Sequence, residues 1–131
     1  MISRRSFVVL AIAMTSLAAS PILASDEIRS FTPADFSAAQ KAGKPILVEI
    51  HADWCPTCKA QAPIISELRK QPKFKELMVF RVDFDSQKDA VKQFRARSQS
   101  TLITFKGGSE TGRSVGDTNK GSIEALLAKA I

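Results

Sequence analysis

The chain has 131 residues, of which 44% are hydrophobic, and a formal net charge of +6. These values indicate one globular domain with a modest core and exclude a long disordered chain. Two of the positive charges, Arg4 and Arg5, lie in a leader that contains no acidic residue. The sequence has no Lys/Arg block with interleaved aromatic residues, so a nucleic-acid partner is not expected.

Residues 1–25 have the layout of an export signal peptide, with a short positive region, an apolar run and a small-residue end before the first acidic residues. The apolar run is shorter than the ~20 residues that a membrane-spanning helix usually needs. We therefore expect cleavage after Ala24 or Ser25 and a mature domain of residues 26–131. Attachment to the membrane is expected only if the leader is uncleaved.

The beginning of this leader also resembles the twin-arginine export motif of bacteria, because Arg4 and Arg5 are followed by Ser6, Phe7 and Val8. Paired arginines are common in ordinary secretory leaders as well, so both export routes stay open. Either route delivers the protein across the inner membrane, into a compartment where disulfides form and persist. The predicted location is the periplasm.

After the leader, the predicted elements alternate between helices and strands. An N-cap Thr, Pro33 at the first helical position and Gly43 as a stop predict a short helix from about Pro33 to Ala42. The apolar run over residues 45–52 predicts a buried strand, in which Glu49 is a charged misfit. Further along the chain we predict a helix over 55–70 that Pro63 kinks, a strand over 77–84, a helix over 89–96, a hairpin over 100–116 that turns at Gly107 and Gly108, and an amphipathic helix over 118–131.

This order of elements predicts an α/β sandwich with a mixed sheet. Its first two strands are expected to be joined by a right-handed crossover through the helix that begins at Cys55. Four phenylalanines at apolar positions of strands or helices are expected in the core, namely Phe80, Phe84, Phe94 and Phe105.

Cys55 and Cys58 are the only cysteines of the chain and are separated by two residues. A thiol at a helix N-terminus faces unpaired backbone N–H groups and the positive end of the helix dipole, so we expect the pKa of Cys55 to fall below the free value of about 8.5. Cys58, one turn further in, is expected to be more shielded and close enough to attack a mixed disulfide at Cys55. This division of roles is what two-step thiol-disulfide exchange needs.

The segment from Trp54 to Lys59, followed by Pro63, resembles the active-site segment of the thioredoxin superfamily. The stretch from Gly43 to Lys59 is most similar in character to the bacterial periplasmic members that shuttle reducing equivalents, and the similarity extends from about Phe31 to the C-terminus. The resemblance implies a thioredoxin-like fold, with a central mixed four-stranded sheet flanked by helices.

The resemblance also implies roles for the residues of this segment. Cys55 is the attacking thiol, Cys58 the resolving thiol, and Trp54, Pro56 and Thr57 lie at the rim of the active site. No cofactor is implied beyond the redox-active disulfide of the two cysteines. The implied partners are disulfide-containing or dithiol proteins and a membrane electron donor, and the implied oligomeric state is a monomer.

Glu49 lies six residues before Cys55, where the superfamily carries a buried acid that exchanges protons with the second cysteine. Burial in an apolar strand should raise the pKa of Glu49 toward neutrality and suit it for general acid/base work at Cys58. Arg81 lies where the superfamily has a Lys partner of that acid, and such a pairing would lower the same pKa. The alternative is a strand Glu that faces solvent in an ordinary surface pair.

Ser100 is the main departure from the superfamily, because it lies where a cis-proline faces the two cysteines. A cis bond before a non-proline residue costs roughly 2.5 to 4 kcal/mol, so we expect the Gln99–Ser100 bond to be trans, or strained and held by its surroundings. The family loop aligns a substrate backbone and keeps metal away from the cysteines, so Gln99 and Ser100 belong to the rim. The Ser100 hydroxyl either bonds a thiolate at Cys55 or belongs to an ordinary loop serine.

His51 and Gly116 are weaker candidates. His51, the sole histidine, is four residues before Cys55 and could join the two cysteines as a third metal ligand. A tetrahedral site would then still lack its fourth ligand, and no nearby residue obviously supplies one. A strand-end His packed beside Trp54 is the favoured alternative, because metal sites usually have a fuller ligand set. Gly116 resembles a family glycine that lets partners approach the active-site surface, although a turn glycine also explains it.

Three functions are weighed for the cysteine pair. The first is a periplasmic thiol-disulfide oxidoreductase that acts as a reductant or electron relay. The second is a metal or iron-sulfur binding protein, which the missing cis-proline and the nearby His51 motivate. A cluster with full protein ligation would require a dimer, because two cysteines cannot supply four thiolates. The third is a partner-binding module with a permanent disulfide, which is disfavoured because so short a loop restrains little of the unfolded chain.

Overall fold

The computed structural model describes residues 27–131, and the predicted leader lies outside this part of the chain. The described residues form one α/β unit whose elements follow the predicted order, with one added strand and a 3-10 turn. In chain order they are β1 Ile28–Ser30, α1 Pro33–Lys41, β2 Pro45–His51, α2 Pro56–Arg69, the 3-10 turn Pro72–Phe74, β3 Met78–Asp83, α3 Lys88–Gln93, β4 Thr101–Lys106, β5 Ser109–Val115 and α4 Lys120–Ala128. None of the helices between residues 27 and 131 has the length and apolar character needed to cross a membrane.

The strands form one mixed sheet in the order β1-β3-β2-β4-β5. As predicted, β2 and β3 are parallel and connected through α2, and β4 and β5 form an antiparallel hairpin. The four-strand prediction omits β1, which pairs in parallel with β3. β1 has only three residues, all exposed, so no apolar pattern marks it in the sequence.

The third helix is shorter than the predicted range of 89–96, because α3 ends at Gln93. Arg95 has a φ of +53°, and the backbone N–H groups of Arg95 and Ala96 bond back to carbonyls inside the helix. This arrangement is a Schellman helix end, in which Gly usually occupies the left-handed position. Because Arg95 occupies the position where Gly is usual, the sequence pattern does not show where α3 ends.

Five phenylalanines form much of the core on one face of the sheet. Their rings pack tilted or edge to face, with centroids 5.2 to 6.0 Å apart, which is a favourable geometry for aromatic pairs. Phe84, which was expected with them, is only partly buried and contacts both this cluster and the cysteines. The five core rings are Phe31, Phe36, Phe80, Phe94 and Phe105.

The opposite face of the sheet carries the cysteine helix. On that face Leu47 and Val79 belong to one buried cluster with Ile65 of α2 and Leu127 of α4. Side chains alternate along a strand, so Glu49 lies on the same face of β2 as Leu47. The helix that begins at the cysteines therefore covers the face of the sheet that bears Glu49.

Candidate active site

Cys55 is the N-cap residue of α2, with extended backbone angles of φ −79° and ψ 112°. Its Sγ accepts the backbone N–H of Cys58 at 3.1 Å, in the way that a capping oxygen does. Pro56 follows at the first helical position, where its missing N–H costs no helical hydrogen bond. The local sequence thus places one sulfur at the positive end of the helix and the other one turn inside it.

Both thiols are buried and unlinked. The exposed fraction is 1% for Cys55 and 4% for Cys58, so the prediction that Cys58 is the more shielded of the two is wrong. Both cysteines share one small buried cluster with Ala52, against which the partly buried Phe84 packs, so Cys55 is covered as fully as Cys58. A partner disulfide that reaches Cys55 must therefore approach through a narrow opening or displace this cover.

The pKa of the Cys58 thiol is raised above its ordinary value. Burial is the main cause, and a hydrogen bond to the sulfur of Cys55 adds to it. Backbone hydrogen bonds from Ala52 and Ser100 act in the opposite direction without reversing the shift. Cys58 therefore keeps its proton to a higher pH than an ordinary thiol does.

We predict that the reduced protein loses stability in alkaline solution through Cys58. Because its folded-state pKa is raised, this thiol stabilises the fold fully below the unfolded-state thiol pKa of about 8.5. That stabilisation is lost as the pH rises through the folded-state value. Denaturant unfolding of the reduced protein at increasing pH measures the loss, and thiolate absorbance follows the titration without phenolate background because the chain has no Tyr.

The matched control for this prediction is Cys58→Ala, which lacks the titrating group. Its free energy of unfolding should not show the part of the alkaline decline that belongs to Cys58. An equal decline in the variant and the wild-type protein would contradict the assignment.

The rim of the site is formed by the residues on either side of the first cysteine. Trp54 is 57% exposed, and its Nε1 donates to Asp85 Oδ2 at 2.7 Å, which fixes the ring beside the cysteine helix. Pro56 is exposed and Thr57 is half-buried at the start of α2. Since Trp54 is the only tryptophan of the chain, its fluorescence reports on this site alone.

His51 has a partner other than the cysteines. Its Nε2 lies 3.2 Å from Asp53 Oδ1, and the ring is largely buried at the end of β2. Among residues 27–131 there is no group of three or more His, Cys, Asp and Glu side chains arranged to hold a metal ion. The geometry of the described residues therefore gives the metal hypothesis no support.

Glu49 and Arg81 form an ion pair whose carboxylate is buried and whose guanidinium is half-buried. They face each other in the register of β2 and β3, and Glu49 Oε2 accepts from Arg81 Nε at 3.2 Å and from Nη2 at 3.1 Å. Glu49 is only 5% exposed, so the alternative of a solvent-facing surface pair is wrong. Arg81 is half-buried and connects the carboxylate to the surface.

Ser100 is in the left-handed region of the backbone, with a φ of +57°, and its bond to Gln99 is trans. Its N–H donates to Ile50 O at 2.7 Å and so extends the pairing of β2 with β4. Its hydroxyl donates to Gln99 O at 2.6 Å rather than to the sulfur of Cys55. The peptide bond before Ser100 is trans, as expected, whereas the positive φ of Ser100 is not predicted by the sequence. The hydroxyl forms the local bond of a loop serine.

Gln61 is the residue of the site that the sequence reasoning missed. It is buried in α2, and its Nε2 donates to Ser100 O and to Asp117 O. The available signal was an amide on the side of the predicted helix that carries Cys58.

Gly116 donates its N–H to Ser100 O and has a φ of +69°, which is the conformation of a turn glycine. Pro63 lies inside α2, as expected.

Comparison with known proteins agrees with this geometry. The family model described as Thioredoxin matches residues 27–129. A thioredoxin of Alicyclobacillus acidocaldarius subsp. acidocaldarius is 33% identical over 102 residues, which cover 78% of this chain and 96% of that protein. The crystal structure of Trxlp from Edwardsiella tarda EIB202 is 42% identical, with a TM-score of 0.75, and the match covers 77% of this chain and 98% of that chain.

The range matched by the family model contains every strand and helix of the described domain. A second curated relative, a thioredoxin of Chlamydia trachomatis, is 34% identical over 84 residues, which cover 64% of this chain and 80% of that protein. The α/β fold inferred from the sequence is therefore confirmed as a thioredoxin fold. The chain belongs to the thioredoxin family, whose members are thiol-disulfide oxidoreductases that work through their own active-site cysteines without a cofactor.

Proposed function

We propose that this chain is an exported thiol-disulfide oxidoreductase of the bacterial periplasm that reduces the disulfides of partner proteins through Cys55 and Cys58. Family membership supports the reaction, and the signal-like layout of residues 1–25 supports the location. Thioredoxins act on disulfide-containing proteins and are usually monomeric, and we propose both for this chain. A dithiol donor in the membrane returns the pair to its reduced state.

The observation that carries this proposal is the joint placement of the two thiols. Cys55 Sγ caps α2 and accepts the N–H of Cys58 at 3.1 Å, so a negative charge on that sulfur meets the positive end of a helix. Cys58 holds its proton and donates it in a hydrogen bond to Cys55. Cys55 is therefore placed to attack first, and Cys58 stays protonated until the resolving step.

In the first step, the Cys55 thiolate attacks one sulfur of the partner disulfide. The partner S–S bond breaks, a new bond joins Cys55 to the attacked sulfur, and the departing sulfur takes a proton from solvent. The product is a mixed disulfide between this chain and its partner.

In the second step, Cys58 loses its proton and attacks the sulfur of Cys55. The Cys55–Cys58 disulfide forms as the bond between Cys55 and the partner breaks, and the released partner sulfur takes a proton from solvent. The partner leaves as a dithiol, and two electrons have passed from this chain to the partner. We assign the proton of Cys58 to Glu49 as general base, because Glu49 is the buried carboxylate on the sheet face beneath α2. Its bond to Arg81 holds the carboxylate in place.

The reduction potential tests the direction of this reaction. A reductant should have a potential near the thioredoxin value of about −270 mV, because its oxidised form must be the favoured product. Equilibration with glutathione buffers, followed by the fluorescence of Trp54, measures it. A potential near about −120 mV, typical of a strong periplasmic oxidant, would reverse the proposed direction without removing the exchange chemistry.

A further inference from the structure

Gln61 is a buried amide on the side of α2 that carries Cys58. It is 3% exposed and follows Cys58 by three residues, so the two side chains lie one above the other on the helix. An amide in such a position destabilises the fold unless its hydrogen bonds are satisfied inside the protein. Its bonding partners therefore indicate what it does.

Gln61 bonds to two separate loops through one nitrogen. Its Nε2 donates to Ser100 O at 3.2 Å and to Asp117 O at 2.9 Å, which uses both amide hydrogens. Ser100 ends the connection between α3 and β4, and Asp117 lies in the connection between β5 and α4. One side chain thus links the cysteine helix to both loops that flank the β4–β5 hairpin.

The first of these loops needs to be held. Ser100 has a φ of +57°, a conformation that a residue other than Gly keeps only where its surroundings hold it. Its N–H is fixed by Ile50 O at 2.7 Å, and its carbonyl accepts from Gly116 N at 2.9 Å as well as from Gln61. Of these contacts, only the bond from Gln61 comes from the helix that carries the cysteines.

The loop held in this way lies on the side of α2 that carries Cys58, because Gln61, which bonds to it, follows Cys58 by three residues. From there the Ser100 backbone acts to lower the pKa of Cys58 against the larger effect of burial, and so favours the thiolate that attacks in the resolving step. A shift of Ser100 away from α2 would weaken this effect. It would leave the cap of Cys55, which is formed within α2 itself, unchanged.

We propose that Gln61 is a positioning residue of the resolving step, holding the Ser100 backbone against the Cys58 thiol by donating both amide hydrogens across the gap between α2 and two loops. This inference rests on the proposed exchange reaction of Cys55 and Cys58. The connection between α3 and β4 contains no proline in this chain, and the Gln61 side chain holds its end at Ser100 in place.

The test separates the two steps in Gln61→Met, which keeps the length of the side chain and removes the donors. Mixed-disulfide formation with a disulfide-bonded model protein should proceed at the wild-type rate. The rate of the resolving step, measured by rapid quenching, should fall by about threefold to tenfold. This is the effect of losing one hydrogen bond at the site, here the bond from Gln61 to Ser100 O. The Cys58 titration should move further upward, which a purely structural change would not produce selectively.

Two further variants complete the test. Gln61→Asn, whose amide is one methylene too short to reach both carbonyls, should slow the same step and replaces the Met variant if that variant does not fold. Glu67→Gln, which removes the negative charge that pairs with Lys120 on the exposed side of α2, is the matched control and should resolve at the wild-type rate.

A normal resolving rate and an unchanged Cys58 titration in the folded Gln61 variants would overturn this inference alone. Equal slowing of both steps would also overturn it, because that result indicates a general disturbance of the fold. If the wild-type protein itself forms no mixed disulfide at Cys55, the proposed function fails instead.

Discussion

Replacing Ser100 with Pro is expected to lower the free energy of unfolding by about 2 to 4 kcal/mol. Proline fixes φ near −65°, whereas Ser100 has a φ of +57°, so the loop cannot keep its present conformation. Proline also lacks the N–H that donates to Ile50 O at 2.7 Å. The superfamily to which the sequence was compared carries proline at this position, but in this chain both the positive φ and the N–H bond of Ser100 are incompatible with proline.

Denaturant unfolding of the reduced and oxidised forms measures this effect, with Ser100→Gly as the control. Glycine adopts a positive φ without strain and keeps the N–H, so its free energy of unfolding should stay within about 1 kcal/mol of wild type. A Pro variant as stable as the wild-type protein would show that Ser100 is not held by the contacts described above.

The second large effect is expected at the cysteine pair. Cys58→Ser keeps the attacking thiol and removes the group that releases the partner, so mixed disulfides at Cys55 should accumulate and turnover should fall to the rate of uncatalysed exchange. Cys55→Ser should neither form these complexes nor reduce a partner. Non-reducing electrophoresis of each variant after incubation with a disulfide-bonded model protein and with a periplasmic extract measures both outcomes.

The variant without either cysteine is the matched control for trapping. Complexes that it forms, or that persist after treatment with a dithiol, are not mixed disulfides. Equal trapping by Cys55→Ser and Cys58→Ser would mean that the two thiols share the attack, against the roles proposed here.

The parts of the site that the sequence predicts are those that depend on local geometry. A Cys followed by Pro after an apolar strand specifies a helix N-terminus, and the structure places Cys55 there. Glu49 is the one charge in a buried strand, which the apolar run of the sequence also shows. Its partner Arg81 was implied by the resemblance to the superfamily and not by local geometry, and the register of β2 and β3 places the two residues opposite each other.

The parts that the sequence does not predict depend on contacts between distant segments. The left-handed backbone of Ser100 is held from β2, α2 and the loop after β5, and no local pattern encodes that combination. Gln61 is separated from Asp117 by 56 positions, so its role is visible only in three dimensions. The short edge strand β1 was missed for a related reason, since its pairing with β3 is long-range.

The central claim is that Cys55 attacks a partner disulfide and Cys58 resolves the complex. Its most direct test is to identify which cysteines are joined by a disulfide at each stage of a single turnover. Reduced wild-type protein is mixed with one equivalent of a disulfide-bonded protein, quenched with acid at intervals and digested for mass spectrometry. The account predicts that the substrate is first attached to Cys55 and that the Cys55–Cys58 disulfide then appears together with reduced substrate. Attachment to Cys58, or a substrate that stays oxidised, would contradict it.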